Sequence, residues 1–154
     1  MQQEQLLLKW RKTNEKNYYY DAKFLIMSPT QRSLNKLRKE GWEVCIVEKW
    51  IPQARRRVDA FGFGDILGYH VFNLKLAPYT TTALFQVTSG SNFSARIKKI
   101  LEDSKAKGWL KAGNGICVHG WRKLKNKETG KYHWECKEQW ITLENFKNEI
   151  RRAI

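Results

Sequence analysis

No apolar run in this chain approaches the ~20 residues that a membrane-spanning helix requires. The N-terminal MQQEQLLLKWRK has too short an apolar stretch and lacks a small-residue cleavage site, so no secretory signal is expected. Cysteine is scarce and odd in number, at Cys45, Cys117 and Cys136. Without an export signal, reduced thiols in a cytoplasmic setting follow. No GxxxxGK[ST] stretch is present, which argues against a P-loop NTPase, and no nucleophile elbow, which argues against an α/β-hydrolase triad. Internal repeats and low-complexity tracts are also missing. Acid is in short supply: 15 Asp and Glu stand against 29 Lys and Arg, giving a net charge of +14.

That imbalance is the strongest compositional fact. A pI near 9.8 suits a polyanion, because each neutralised phosphate releases condensed counterions. Seven tryptophans suit base stacking, although indoles also fill cores. DNA, double-stranded or branched, is the expected partner, with RNA left open. A basic membrane-surface protein is the weaker rival. No segment forms a clean basic amphipathic helix, so no membrane partner is expected. A hydrophobic content of 42% with 29% charge over 154 residues marks one globular domain.

The chain order predicts a mixed α/β fold. Ser28-Pro29-Thr30-Gln31 reads as a helix start with a capping box, burying Leu34 and Leu37 and ending at Gly41. WEVCIVEKWI predicts one strand over 43–50. Pro52 to Arg57 is a basic loop. Asp65 to Phe72 predicts a second strand and Leu84 to Val87 a third, with a turn at Pro78 and Thr80-Thr81-Thr82 between them. Ser91 or Asn92 caps a helix to about Ala106, with Ile97, Ile100 and Leu101 inward and Gly108 as its end. Gly115 to Lys123 and Tyr132 to Ile141 predict a hairpin. Thr142 caps a last helix with Leu143, Phe146 and Ile150 buried. Residues 1–154 form a single domain on this reading: an N-terminal extension at 1–27, a core at 28–124, and a completing hairpin and helix at 125–154.

The chemistry concentrates in residues 57–100. Asp59 and Asp65 flank a glycine-spaced aromatic turn. Gln86 and Thr88 lie two apart on a strand and share a face. Ser89-Gly90-Ser91-Asn92 opens a basic helix whose free N–H groups suit a phosphate. A magnesium ion needs one or two carboxylates besides phosphate and water. Asp65 is the first candidate ligand, with Asp59, the Gln86 side-chain carbonyl and the Val87 backbone carbonyl behind it. Each has a plainer reading: Asp65 as a turn residue, Asp59 as a partner of Arg55, Arg56 or Arg57, Gln86 bonded to backbone.

A helix ending in Gly, a strand, an Asp leading a second strand, a third strand with a polar pair, then a helix resembles the PD-(D/E)XK nucleases. The likeness is to small Holliday-junction-resolvase-like and phage-type members, over about residues 28–124. The family's Asp falls on Asp65 in GDILGY, and its (D/E)-X-K triplet on Gln86-Val87-Thr88. Gln replaces the acid and Thr the lysine. The resemblance implies a restriction-endonuclease-like sheet and a magnesium- or manganese-dependent DNA endonuclease, with Asp65, Gln86, Thr88 and Lys98 catalytic. Lys98 or Lys99 would replace the lysine from the next helix. Asp59 would supply the acid; Glu48, on the first strand, is another candidate, and Gln31 is near the place of the usual acid on the first helix. Thr88, Ser89, Ser91 and Asn92 would position water or phosphate. Arg55, Arg56, Arg57, Arg96 and Lys99 would hold the nucleic-acid backbone. The alternatives are a degenerate DNA- or RNA-binding module and a subunit of a nucleoprotein assembly. A homodimer is compatible with either, as is a phage protein acting in a host cytoplasm.

Cys117, His119, His133 and Cys136 are zinc-ligand types. On regular strands His133 and Cys136 would not share a face, and their spacing matches no common finger. Zinc is therefore not expected, and a hairpin with buried cysteines and a phosphate-facing His is the favoured reading.

Overall fold

Helix α1, Pro29–Lys39, starts at Ser28, whose Oγ accepts from the Gln31 backbone N–H at 3.2 Å. The capping box is half made, because the Gln31 amide donates instead to Asn35 Oδ1 at 3.1 Å. The computed structural model describes residues 27–73 and 78–146, and side chains outside 71–80; the N-terminal segment and Ile150 lie outside the described residues. Leu34 and Leu37 are buried as expected. Gly41 terminates the helix with φ +87, and a Cβ there would sit 2.9 Å from His70 Nε2. Only glycine meets both demands.

Among the described residues seven strands follow. β1 is Glu43–Ile46, β2 Lys49–Ile51, β3 Arg56–Val58, β4 Ile66–Asn73, β5 Pro78–Ser89, β6 Gly115–Lys125 and β7 Tyr132–Ile141. A five-stranded mixed sheet has the order β1-β4-β5-β6-β7, and β2 and β3 form a separate ribbon. Only β5 and β6 run parallel. A parallel pair needs a crossover, here supplied by helices α2 (Phe93–Leu101) and α3 (Ser104–Lys111). The protein is thus a mixed α/β fold, its sheet flanked by helices.

Strand alternation sorts the core into two layers. Leu84, Ile116 and Val118 pack with Phe93, Ile100 and Ala106 on one face. Ala83, Phe85 and Cys117 pack with Leu34, Leu37 and Trp42 on the other. Among the described residues no helix is long and apolar enough to cross a membrane.

Five expectations need correction. The strand expected over 43–50 breaks at Val47-Glu48, because both of these backbone N–H groups bond the Asp65 carbonyl, at 2.9 and 3.3 Å. The turn expected at Pro78–Thr82 is strand: Pro78 opens β5, where its missing N–H matters least, and β-branched threonines suit a pleated ribbon. The helix expected to run to Ala106 is two helices. Asp103 restarts it, accepting from the Lys105 N–H at 2.8 Å, so Gly108 lies inside α3 and Gly113, φ +84, follows its end. Neither Ser91 nor Asn92 makes a side-chain cap bond, since a 3-10 turn at Gly90–Asn92 precedes α2. Near the C-terminus residues 143–146 are helical and Phe146 is buried, but Leu143 is 38% exposed. There Asn145 Oδ1 accepts from both the backbone N–H and the hydroxyl of Thr142.

Candidate functional site

A tight turn brings two acids together. Ala60 and Gly64 pair across it, with Phe61 (φ 55) and Gly62 (φ 90) both left-handed at its tip. A non-glycine residue with positive φ is uncommon and marks local strain. The reversal returns Asp65 beside Asp59. The Asp65 carbonyl, holding the N–H groups of Val47 and Glu48, draws a third acid in. One carboxylate oxygen from each of Glu48, Asp59 and Asp65 lies within 4.8 Å of the others.

Asp65 is the buried member, 6% exposed. Its Oδ2 accepts from the Val87 N–H and from Gln86 Nε2, each at 2.6 Å. Burial pushes its carboxyl up to about 7; the neighbouring charges of Asp59 and Glu48 push the same way, against the Val87 N–H. Gln86 meets Asp65 as a donor through its amide nitrogen, and Val87 through its N–H. Thr88, also buried, lies two residues along from Gln86 on the same face.

Cations ring this acid. Arg57 Nη1 is 2.8 Å from Glu48, and Arg96 Nη1 4.0 Å from Asp59. Asp59 is expected from the sequence to pair with Arg55, Arg56 or Arg57; Arg57 holds Glu48 instead, and Arg96 of α2 approaches Asp59. Glu48 belongs to the bend after β1 and not to a strand. Lys98 lies 3.9 Å from Glu102 on its own helix, both well exposed, and Lys99 is exposed. Arg55 and Arg56 are exposed on the ribbon, with Arg55 left-handed at φ 45. Ser89 and Ser91 hydrogen-bond one another at 2.9 Å, and Asn92 is exposed beside them.

Beside Glu48 opens a groove of about 640 Å³, lined by Ser28, Thr30, Gln31, Ile46, Trp50 and Arg57. Gln31 therefore faces the same space as one of the acids. Trp50 carried no signal in the sequence: its residue type fits a buried strand, and only the break at Val47-Glu48 exposes it.

The cysteine and histidine group does not converge. In the hairpin register Cys117 faces Trp140 and His133 faces Leu124, seven positions apart along β6. His119, Cys136 and Glu138 come together instead. Lys36 occupies Glu138 at 2.6 Å and also bonds Glu40. Burial pushes the Cys136 thiol up to about 12. His119 is not phosphate-facing: it is 1% exposed, and its Nδ1 lies 3.0 Å from Ser33 Oγ, which also accepts from Trp121 Nε1 at 2.8 Å. Burial, with the Lys36 charge, lowers the imidazole to about 4.

No family model, curated protein or solved structure matches this chain.

Proposed function

We propose that this chain is a metal-dependent endonuclease that hydrolyses phosphodiester bonds of DNA in a cytoplasm, its own cell's or a phage host's. The observation that carries the reading is the convergence of Glu48 and Asp59, both half-buried, on the buried Asp65 in a chain of net charge +14. Three carboxylates within 4.8 Å repel, and a shared proton or a cation relieves them. The element order supports it too: a helix closed by Gly41, a strand, a strand led by Asp65, a strand bearing Gln86-Val87-Thr88, and a helix, as the PD-(D/E)XK resemblance implies.

The donor set fits magnesium or manganese, since all three groups offer hard oxygen and Asp65 is already held at Oδ2. Bound there, such an ion supplies an activated water and polarises a phosphoryl oxygen. The chain's own residues do the rest. Glu48, Asp59 and Asp65 would hold the ion, while Gln86 Nε2 and the Val87 N–H fix Asp65 from the interior. Thr88 offers a hydroxyl on the same face. Arg57 and Arg96, already beside the acids, are placed to take a phosphate, and Arg55, Arg56 and Lys99 extend the basic surface.

A second reading has its own observation. The cations touching the carboxylates are guanidiniums, which hold phosphate but do not exchange protons near neutral pH. With Thr88 where the family has lysine, a DNA- or RNA-binding module built on the same acids is the alternative. Cleavage of junction, flap, nicked and plain duplex DNA, with magnesium, manganese or chelator, separates the two. Metal-dependent cutting that disappears in Asp65→Asn is the expected result. A parent that cuts none of the four leaves the binding module standing.

A further inference from the structure

The groove beside Glu48 has a feature that the hydrolysis of a plain duplex does not call for. Two large apolar side chains line it, Trp50 and Ile46, each 53% exposed. Trp50 stands on β2 opposite Arg57 on β3, and Arg57 reaches Glu48. Indole, guanidinium and carboxylate therefore follow one another along one wall. Ser28, Thr30 and Gln31 supply small polar groups from the start of α1 on the other. Arg57 is the cation that lines the groove with them, while Lys49 and Arg56 alternate to the other face of the ribbon.

An exposed indole beside cations suits a nucleobase. A base inside a duplex is already stacked on both sides and offers no free face. Only an end, a nick, a flap or a branch does. A space of about 640 Å³ is on the scale of a small-ligand pocket and leaves no room for a double helix.

We propose that this groove seats one unpaired base of a DNA strand on the Trp50 indole, with the adjoining phosphate on Arg57 beside the carboxylates. The substrate class is then DNA with an unpaired base next to the cut: a flap or a single-stranded overhang. The inference rests on the nuclease reading for the position of the cut, while the seating of the base is a binding property of the same site.

The test uses the full chain in chelator, so that nothing is cut. Affinity is measured for a plain duplex and for the same duplex carrying a short single-stranded flap with 2-aminopurine at the branch. The parent should prefer the flap and quench the 2-aminopurine. Trp50→Ala should lose roughly 10- to 100-fold for the flap, with the duplex within about twofold and the quenching gone. Trp50→Phe should recover most of the preference, because an aromatic face remains. Equal losses on both substrates, or no loss on the flap, overturn the proposal. So does a Trp50→Ala protein that changes only its oligomeric state in sedimentation, which would assign the patch to a second copy of this chain. Metal-dependent cleavage without a Trp50-dependent flap preference overturns the base seat and spares the nuclease. A Trp50-dependent preference in a parent that never cuts does the reverse.

Discussion

Two buried polar clusters lie on opposite faces of the β5–β6 pair, and their electrostatics are opposite. Around Asp65 three like charges converge, and the buried carboxyl is held near neutrality in its titration. Around His119 the groups answer one another: Trp121 Nε1 donates to Ser33 Oγ, Ser33 meets His119, and Glu138 is held by Lys36. Burial alone lowers the Lys36 ammonium, yet Glu138 and Glu40 raise it above its ordinary value. One cluster is complete within the protein. The other keeps a buried carboxyl beside two acids that Arg57 and Arg96 only partly answer, and the proposed function rests on that difference.

The widest separation of the two should come from activity. Asp65→Asn should cut DNA ~1000-fold more slowly or worse, beyond the roughly 10–100-fold typical of an outer-shell partner. Its DNA affinity in chelator should stay level or rise. Ser33→Ala should leave metal-dependent cleavage near the parent's. If both variants cut equally well, the contrast collapses.

Stability should sort them the other way. Ser33→Ala strips a partner from two buried groups, His119 Nδ1 and Trp121 Nε1, and about 3 kcal/mol should be lost in urea unfolding. Alanine is the better helix former, so the loss would not come from α1 itself. An unchanged midpoint would show the network to be dispensable.

Acid and base should then pull the clusters apart. The Asp65 pKa is raised from 3.8 to about 7, so the folded state holds the extra proton and its contribution fades as pH rises across that window. His119 is lowered from 6.5 to about 4, so its contribution is present above 6.5 and fades as pH falls toward 4. The advantage of Asp65→Asn over the parent should therefore grow from pH 4 to pH 8, by about 4 kcal/mol. Manganese should raise the parent's melting temperature at pH 8 and leave that of Asp65→Asn almost unmoved. A parent that manganese does not stabilise at any pH would remove the ion from the reading.

The smallest effect concerns the basic ribbon. Arg56→Ala should reduce the slope of log K against log salt by about 0.9 and leave manganese stabilisation intact. A salt response that is flat in the parent would withdraw nucleic acid as the partner.

What could be read from the sequence follows the range of the forces involved. Ser28, Gly41 and the β6–β7 hairpin depend on neighbours a few residues away, and they stand where expected. Asp65 and Asp59 were legible because a glycine turn separates them. Glu48 was visible only as one candidate on a strand; its bend exists because a carbonyl 17 positions later takes its N–H. Gln86 stood out by its place in the triplet, but its role as a donor to Asp65 depends on the β4–β5 register. The cap at Asp103 goes unread, because the residues around it read as one helix ending at Gly108.

The contacts at the two clusters also span different lengths of chain. Gln86 and Val87 close on Asp65 across 21 and 22 residues, and Glu48 and Asp59 precede it by 17 and 6. Ser33 and His119 close across 86. Short loops close at lower entropic cost than long ones, so Asp65 can meet its two donors on β5, and Glu48 and Asp59 can join it, before α1 meets β6. A nascent chain released only as far as Ser89 already carries all three carboxylates, whereas the seam that binds helix to hairpin must wait for some thirty more residues.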